Sequence, residues 1–184
     1  MALGLFADNG YAGTSMDDIA KAVGIRKASL YSHFDGKESI FSVLFDQAAE
    51  EYLAFVSQLT KNDEGLEPVQ YLESIFKTYI RNCRDNPKMY FRIRCFYYPP
   101  EFLKDHIMET AQQADDLFLN RIARIFFDGI NCGQIRKQQP QRLALSYYYL
   151  IAGLSMSARL YGQKELEEEM SDVLDGFFTG LLLV

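Results

Sequence analysis

Eight consecutive positions, Arg26 to His33, hold two cations, two serine hydroxyls, a phenol and an imidazole, with Ala28 as a minimal side chain and Leu30 as the one large aliphatic. Cationic groups pair with phosphates, hydroxyl and imidazole groups reach base edges or phosphate oxygens, and small residues let a helix backbone approach the floor of a major groove. On a helical wheel Leu30 and Phe34 turn inward, Ala28, Ser29 and Ser32 point away, and Tyr31 and His33 flank them. The chain is acidic overall, at −6, yet residues 21 to 37 carry Lys21, Arg26, Lys27 and Lys37 against Asp35 alone. That window is +3 and everything else is −9. A small basic face on an acidic body is the arrangement implied.

The elements that must position these residues are legible around them. Leu3 and Phe6, spaced i, i+3, mark a short first helix that stops near Asn9-Gly10. Thr14 or Ser15 caps a second short helix, with Asp17 and Asp18 in the first turn where the dipole favours them. Met16, Ile19, Ala20 and Val23 face inward, and Gly24 ends the helix in a tight turn. The third helix follows, with Ile19, Val23, Ile25 and Leu30 expected to lock it to the second, and small Ala20 allowing a close crossing. A longer fourth helix begins at Lys37. Helix–glycine–helix pairs occur in many α-helical proteins, so the spacing by itself leaves an ordinary packing role open.

The run GYAGTSMDDIAKAVGIRKASLYSHFDGKESIF, Gly10 to Phe41, carries more than spacing. Its G-(Y/F)-x-x-(T/S) lead, I-A-x-x-x-G-(V/I) core and L-Y-x-H/Y-F-x-x-K-E/D end resemble the N-terminal domain of the TetR family of transcriptional regulators. The resemblance implies that Arg26, Lys27, Ala28 and Ser29, with Ser32 on the same face, meet base edges. It implies that Thr14, Tyr31, His33 and Lys37 hold phosphates of a double-stranded DNA operator. Family members usually carry a basic extension ahead of the first helix, and this sequence begins at or inside that helix, so no contacts from such an arm are assigned.

Helical periodicity continues along the chain and no stretch alternates convincingly with period two, which predicts an all-α protein of about nine helices. Pro68, Pro87, Pro100 and Pro140 fall where later helices begin, and the chain breaks around Lys61 to Gly65 and at Gly162. We expect a three-helix helix-turn-helix DNA-binding domain over residues 1–45 and a larger helical effector-binding and dimerisation domain over 46–184. Three cysteines without CxxC or ligand-like spacing argue against a disulfide framework or structural zinc site and suit a reducing cytoplasm. No secretory leader opens the chain, and the uncharged run Leu143 to Ala158 is too short and too rich in tyrosine and serine for a membrane span. Neither a metal nor a cofactor is expected.

In the body of the chain, Tyr90, Phe91, Phe96, Phe102, Phe118, Tyr147 and Tyr148 are candidates to line a pocket for a small apolar or aromatic effector, with an ordinary helical core as the alternative for each. Arg81, Arg84, Lys88, Arg92 and Arg94 form a second basic cluster, read as a solvated face or as counter-charge for an anionic effector. Cys83 and Cys95 lie among those cations, which would lower a thiol pKa at close range. His106 has no partner at ligand spacing and reads as a surface or packing residue. Leu150, Leu154, Leu166, Met170, Val173, Leu174, Phe177 and Phe178 form the apolar faces of the last two helices, which in the family make a two-fold bundle; monomer core is the alternative.

A ligand-responsive, DNA-binding homodimer on a palindromic operator, more readily a repressor than an activator, is the leading reading. A helical ligand-binding protein or enzyme with an incidental helix-turn-helix is the competitor, as is a family member that has lost DNA binding and acts through a protein partner. Against an enzyme stand the missing GxGxxG, P-loop, HExxH and nucleophile-elbow motifs and a total of two histidines.

Overall fold

The computed structural model describes residues 1–61 and 65–182. Most of the expected break at Lys61 to Gly65, and the last two residues of the final helix as read from sequence, lie outside the described residues. Among the described residues there are nine α-helices: α1 (Ala2–Asn9), α2 (Met16–Val23), α3 (Lys27–Tyr31), α4 (Lys37–Leu59), α5 (Pro68–Asp85), α6 (Pro87–Tyr97), α7 (Lys104–Asn131), α8 (Pro140–Ser157) and α9 (Gln163–Thr179). Two 3₁₀ turns, Glu101–Leu103 and Ala158–Leu160, precede α7 and follow α8. The all-α expectation holds, and an isolated bridge between Ile135 and Leu182 is as near as the described residues come to a sheet.

Local chemistry sets the helix starts. Pro87 and Pro140 occupy first-turn positions where a missing N–H costs nothing, and the Asn86 side chain accepts from the amides of Lys88 and Met89. Ser15 and Asp18 close a reciprocal capping box on α2. Gly24 sits at φ 79°, ψ 28°, and its amide donates to the Lys21 carbonyl while that of Ile25 donates to Ala20. This left-handed closure ends α2 at no steric cost for glycine and at some cost for any other residue.

The described chain forms two compact units: Met1–Leu53 with Asn86–Gln113, and Ala54–Asp85 with Ala114–Val184. In the first, Phe6, Ile19, Leu30, Phe41 and Phe45 share one core with Phe91, Cys95 and Ile107. Phe41 packs edge-on against Phe6 and Phe91, with centroids 5.0 and 5.2 Å away. Arg92, only 7% exposed, lies over the Tyr52 ring at 3.5 Å. In the second, α5 packs against α8 and α9, and the wholly buried Tyr147 donates its hydroxyl to the Leu72 carbonyl at 2.6 Å. Arg81 makes a two-pronged pair with Glu167, both bonds 2.7 Å.

Several expectations change on this ground. Val23 and Ile25, expected inside, are 38% and 42% exposed, so Ile19, Ala20 and Leu30 supply the buried contacts of the α2–α3 pair. Leu154, Leu166, Met170, Leu174 and Phe178 are buried within this one chain, because α9 spends its apolar face on the core of its own unit. Leu150, Val173 and Phe177 are half-buried, Phe177 against Phe126 and Tyr147. Cys83 and Cys95 are both buried. Burial pushes the Cys95 thiol up to about 12 against the opposing pull of Arg92 and Arg94, which keeps it protonated at neutral pH.

Candidate nucleic-acid interface

The α2 capping box fixes the entry to the helix-turn-helix. The Ser15 hydroxyl accepts from the Asp18 amide, and the Asp18 carboxylate accepts from the Ser15 amide at 2.9 Å and from its hydroxyl at 2.6 Å. Those bonds lower the Asp18 pKa. The cap therefore strengthens the fold above the ordinary carboxyl value of 3.8 and is lost as pH falls through the lowered one.

Beyond Gly24 the chain presents one exposed surface. Arg26, Lys27, Ala28, Ser29, Tyr31, Ser32 and His33 are all exposed, and Leu30, at 5%, is the one residue of the run turned into the core. The helical part is short: α3 covers Lys27–Tyr31, and the His33 and Phe34 amides both return to the Leu30 carbonyl. Arg26 is the extended N-cap residue, so its side chain leaves from the turn rather than from the helix face. Ser32 donates to the Ser29 carbonyl at 2.8 Å, which occupies its proton and leaves its lone pairs outward. Lys27 is held by Asp17 of α2 at 2.9 Å, and that hydrogen bond raises the lysine pKa. Both partners are about half exposed, so solvent screens the pair and phosphate oxygens can displace the carboxylate.

Two residues expected on phosphates are turned inward. Thr14 is 2% exposed and donates its hydroxyl to the Gly10 and Leu5 carbonyls, at 2.9 and 3.2 Å. It locks the α1–α2 link and has no proton left for DNA. The Lys37 ammonium donates to the Tyr11 carbonyl at 2.7 Å and lies 4.0 Å over the Tyr11 ring. What remains outward at that point is the N-terminus of α4, beside an open depression of about 470 Å³ lined by Tyr11, Asp35, Gly36, Lys37, Glu38 and Ser39.

The candidate effector residues are divided between the two compact units. Tyr90, Phe91, Phe96 and Phe102 belong to the first compact unit, and Phe118, Tyr147 and Tyr148 to the second. In the second, Phe118 packs on Tyr79 and Tyr148, and Tyr148 donates to Asp115 at 2.9 Å. Of the seven, Phe91 alone lines a described cavity, one of about 370 Å³ in the first unit, whose wall also includes Phe6, Tyr11, Phe41, Arg94 and Tyr98. The Arg94 guanidinium donates through Nη1 to the Ala7 and Asp8 carbonyls at the end of α1, both at 2.9 Å. Neither this clamp nor the Asp17–Lys27 pair leaves a local sequence signal, since each joins residues on different helices. The second basic cluster is dispersed too: Lys88 pairs with Glu51 and Arg84 with Asp85. His106, outside that cluster, pairs with Asp46 at 2.7 Å. Among the described residues no group of histidine, cysteine and carboxylate side chains could hold a metal, and no helix is long and apolar enough to cross a membrane.

Residues 1–44 match the family described as bacterial regulatory proteins, tetR family. A curated relative, the biofilm operon icaADBC HTH-type negative transcriptional regulator IcaR of Staphylococcus aureus strain Newman, is 28% identical over 182 residues, covering 96% of this chain and 94% of its own. Among solved structures, the ketosteroid transcriptional regulator KstR2 of Mycobacterium tuberculosis superposes with a TM-score of 0.70 at 19% identity, over 100% of this chain and 92% of that one. AibR in complex with isovaleryl coenzyme A and operator DNA gives 0.69 at 19% identity, over 95% and 92%. The tetR-family match falls on the residues that build the exposed α3 face, the similarity to a regulator runs the length of the chain, and the fold is shared with the solved regulators.

Proposed function

We propose that the chain is a DNA-binding repressor of the cytoplasm that grips a two-fold symmetric operator as a homodimer and releases it when a small-molecule effector binds. The observation that carries this reading is the surface Arg26 to His33, exposed at every position except the Leu30 anchor. Lys27, Ala28 and Ser29 open a helix whose first turn is free to enter a major groove, with Arg26 reaching from the turn and Tyr31, Ser32 and His33 along the flank. In place of the Thr14 and Lys37 side chains, the unpaired first-turn amides of α4 supply a phosphate anchor at the Gly36–Ser39 depression, tempered by Asp35 and Glu38 beside it. The negative regulator among the relatives supports repression, and the neighbour solved with both a coenzyme A ester and operator DNA supports an effector.

Dimerisation rests on a different set of residues from the one read in sequence. Along α8 and the turn after it, Leu145, Tyr149, Met156 and Leu160 are 45, 65, 48 and 84% exposed, at positions i, i+4, i+11 and i+15. That spacing keeps them on one stripe, with Gly153 in the middle where a second helix can come close. A homodimer on a two-fold symmetric operator would present its two α3 faces to successive major grooves, about 34–36 Å apart.

The test is a titration of the full chain against a fragment of the DNA upstream of its own gene, across a salt series. Affinity is expected to fall steeply with salt, by a slope of about 0.9 for each phosphate contact. Lys27→Ala should flatten that slope by about one unit, and Tyr31→Ala should weaken binding with the fold intact. Variants that fold and bind every DNA as the parent does would remove this face from the reading.

A further inference from the structure

The cavity beside α1 has a single charged residue on its wall, a cation. Its volume, about 370 Å³, is at the small end of the range for small-molecule sites. Phe6, Phe41, Phe91, Tyr11 and Pro99 give it an apolar, largely aromatic wall, and Arg94 is the one charged residue on it. No carboxylate lines the space. Cys95, also in the wall, is held protonated by burial and adds no negative charge.

Arg94 is half engaged. Its Nη1 serves the Ala7 and Asp8 carbonyls, while among the described residues Nε and Nη2 have no hydrogen-bond or ion-pair partner. Those two nitrogens form the side edge of the guanidinium, the edge that takes a carboxylate with two parallel hydrogen bonds. The same edge faces Gly10: a Cβ there would stand 3.2 Å from Nη2 and 3.9 Å from Nε, so the glycine, at φ 74°, leaves the approach open. We infer that this cavity is a binding site for a small monocarboxylate with an apolar body about the size of one aromatic ring, its carboxylate on the Nε and Nη2 edge of Arg94.

Occupancy has a short route to the DNA-binding face, and this part of the inference rests on the function proposed above. Tyr11 lines both the cavity and the depression at the start of α4. Its carbonyl and ring hold Lys37, and the adjoining Gly10 carbonyl is half of the Thr14 lock that precedes the α2 cap. A ligand on Arg94 therefore touches the segment that sets where α2 and α4 begin, and it lowers DNA affinity by favouring a placement of that segment that the operator does not.

The experiment is calorimetry of the full chain with phenylacetate and with its uncharged counterpart phenylacetamide, followed by operator titration in saturating phenylacetate. One phenylacetate per chain is expected to bind saturably at millimolar concentration or below, with phenylacetamide about tenfold or more weaker. Arg94→Gln should lose binding to the same degree. Arg94→Lys, which keeps the charge without the fork, should be intermediate, and Ala12→Phe, at the exposed rim, should block the site with the α1 clamp untouched. Equal binding of the acid and the amide, no saturable heat, or parent-like binding by folded Arg94→Gln and Ala12→Phe would overturn the site. Binding that leaves operator affinity unchanged would overturn the regulatory link. Should the chain bind no DNA, the functional reading fails and the calorimetry still decides the cavity.

Discussion

Lys27 sits at the start of α3 with its ammonium already on a carboxylate, Asp17, ten residues earlier. An exposed pair of this kind adds little to stability, since water and salt compete for both partners. On the function proposed above its effect falls on DNA binding, because Lys27 must give up that carboxylate to meet a phosphate. Asp17→Asn should therefore tighten binding to any DNA and steepen the salt dependence by up to about one unit, read in the same titration as the parent. An unchanged slope would mean that Lys27 stays with its neighbours and a different cation meets the backbone. The exposure of the α3 face was legible in sequence because Leu30 is the one large aliphatic residue among polar and small neighbours. Thr14 was misplaced for an equally physical reason: a hydroxyl suits a phosphate or a helix-end carbonyl, and residue type cannot distinguish them. Here the Gly10 and Leu5 carbonyls take it.

At the level of elements, starts and stops were the most readable features. Prolines at first-turn positions, the Ser15–Asp18 box and the left-handed Gly24 are local devices, and local devices are visible in sequence. Which side of an apolar helix is spent at home is not. Helix α9 has a wide apolar face that fits a subunit contact on paper, but Leu166, Met170, Leu174 and Phe178 are consumed by the chain's own core. The exposed α8 stripe of Leu145, Tyr149, Met156 and Leu160 is the surface proposed above for a second copy. Tyr149→Glu places a charge at 65% exposure in that stripe, where a monomer has water to solvate it and a dimer does not. It should convert the protein to monomers in sedimentation or light scattering with helix content unchanged, and weaken operator binding through lost avidity. A variant that stays dimeric would assign the contact to another surface.

Across the whole molecule, the sequence family and the compact unit do not have the same edges. The family match ends at residue 44, close to the boundary expected at 45, whereas the unit that contains the α3 face extends to Leu53 and takes in Asn86–Gln113. Long-range insertion of this sort is silent in sequence, because Phe91 looks like any core aromatic until its partners are known. Phe91 is 1% exposed against Phe6 and Phe41, and Phe91→Ala should cost about 3–5 kcal/mol of stability. Chemical denaturation followed by circular dichroism measures that loss. DNA affinity should fall with it at temperatures where the first unit begins to melt, although the residue lies more than forty positions beyond the family match.

The same interleaving bears on inheritance. A recombination that joins the first 45 residues of one regulator to the remainder of another keeps the letters of the DNA-reading segment but exchanges the α6 side chains that complete its core. Phe6, Phe41 and Phe45 would then meet a stranger's helix, and specificity would transfer only where the α6 positions of the two parents match in volume. The compact unit that carries the α3 face is discontinuous in the gene, so the packing that supports that face depends on residues far along the chain.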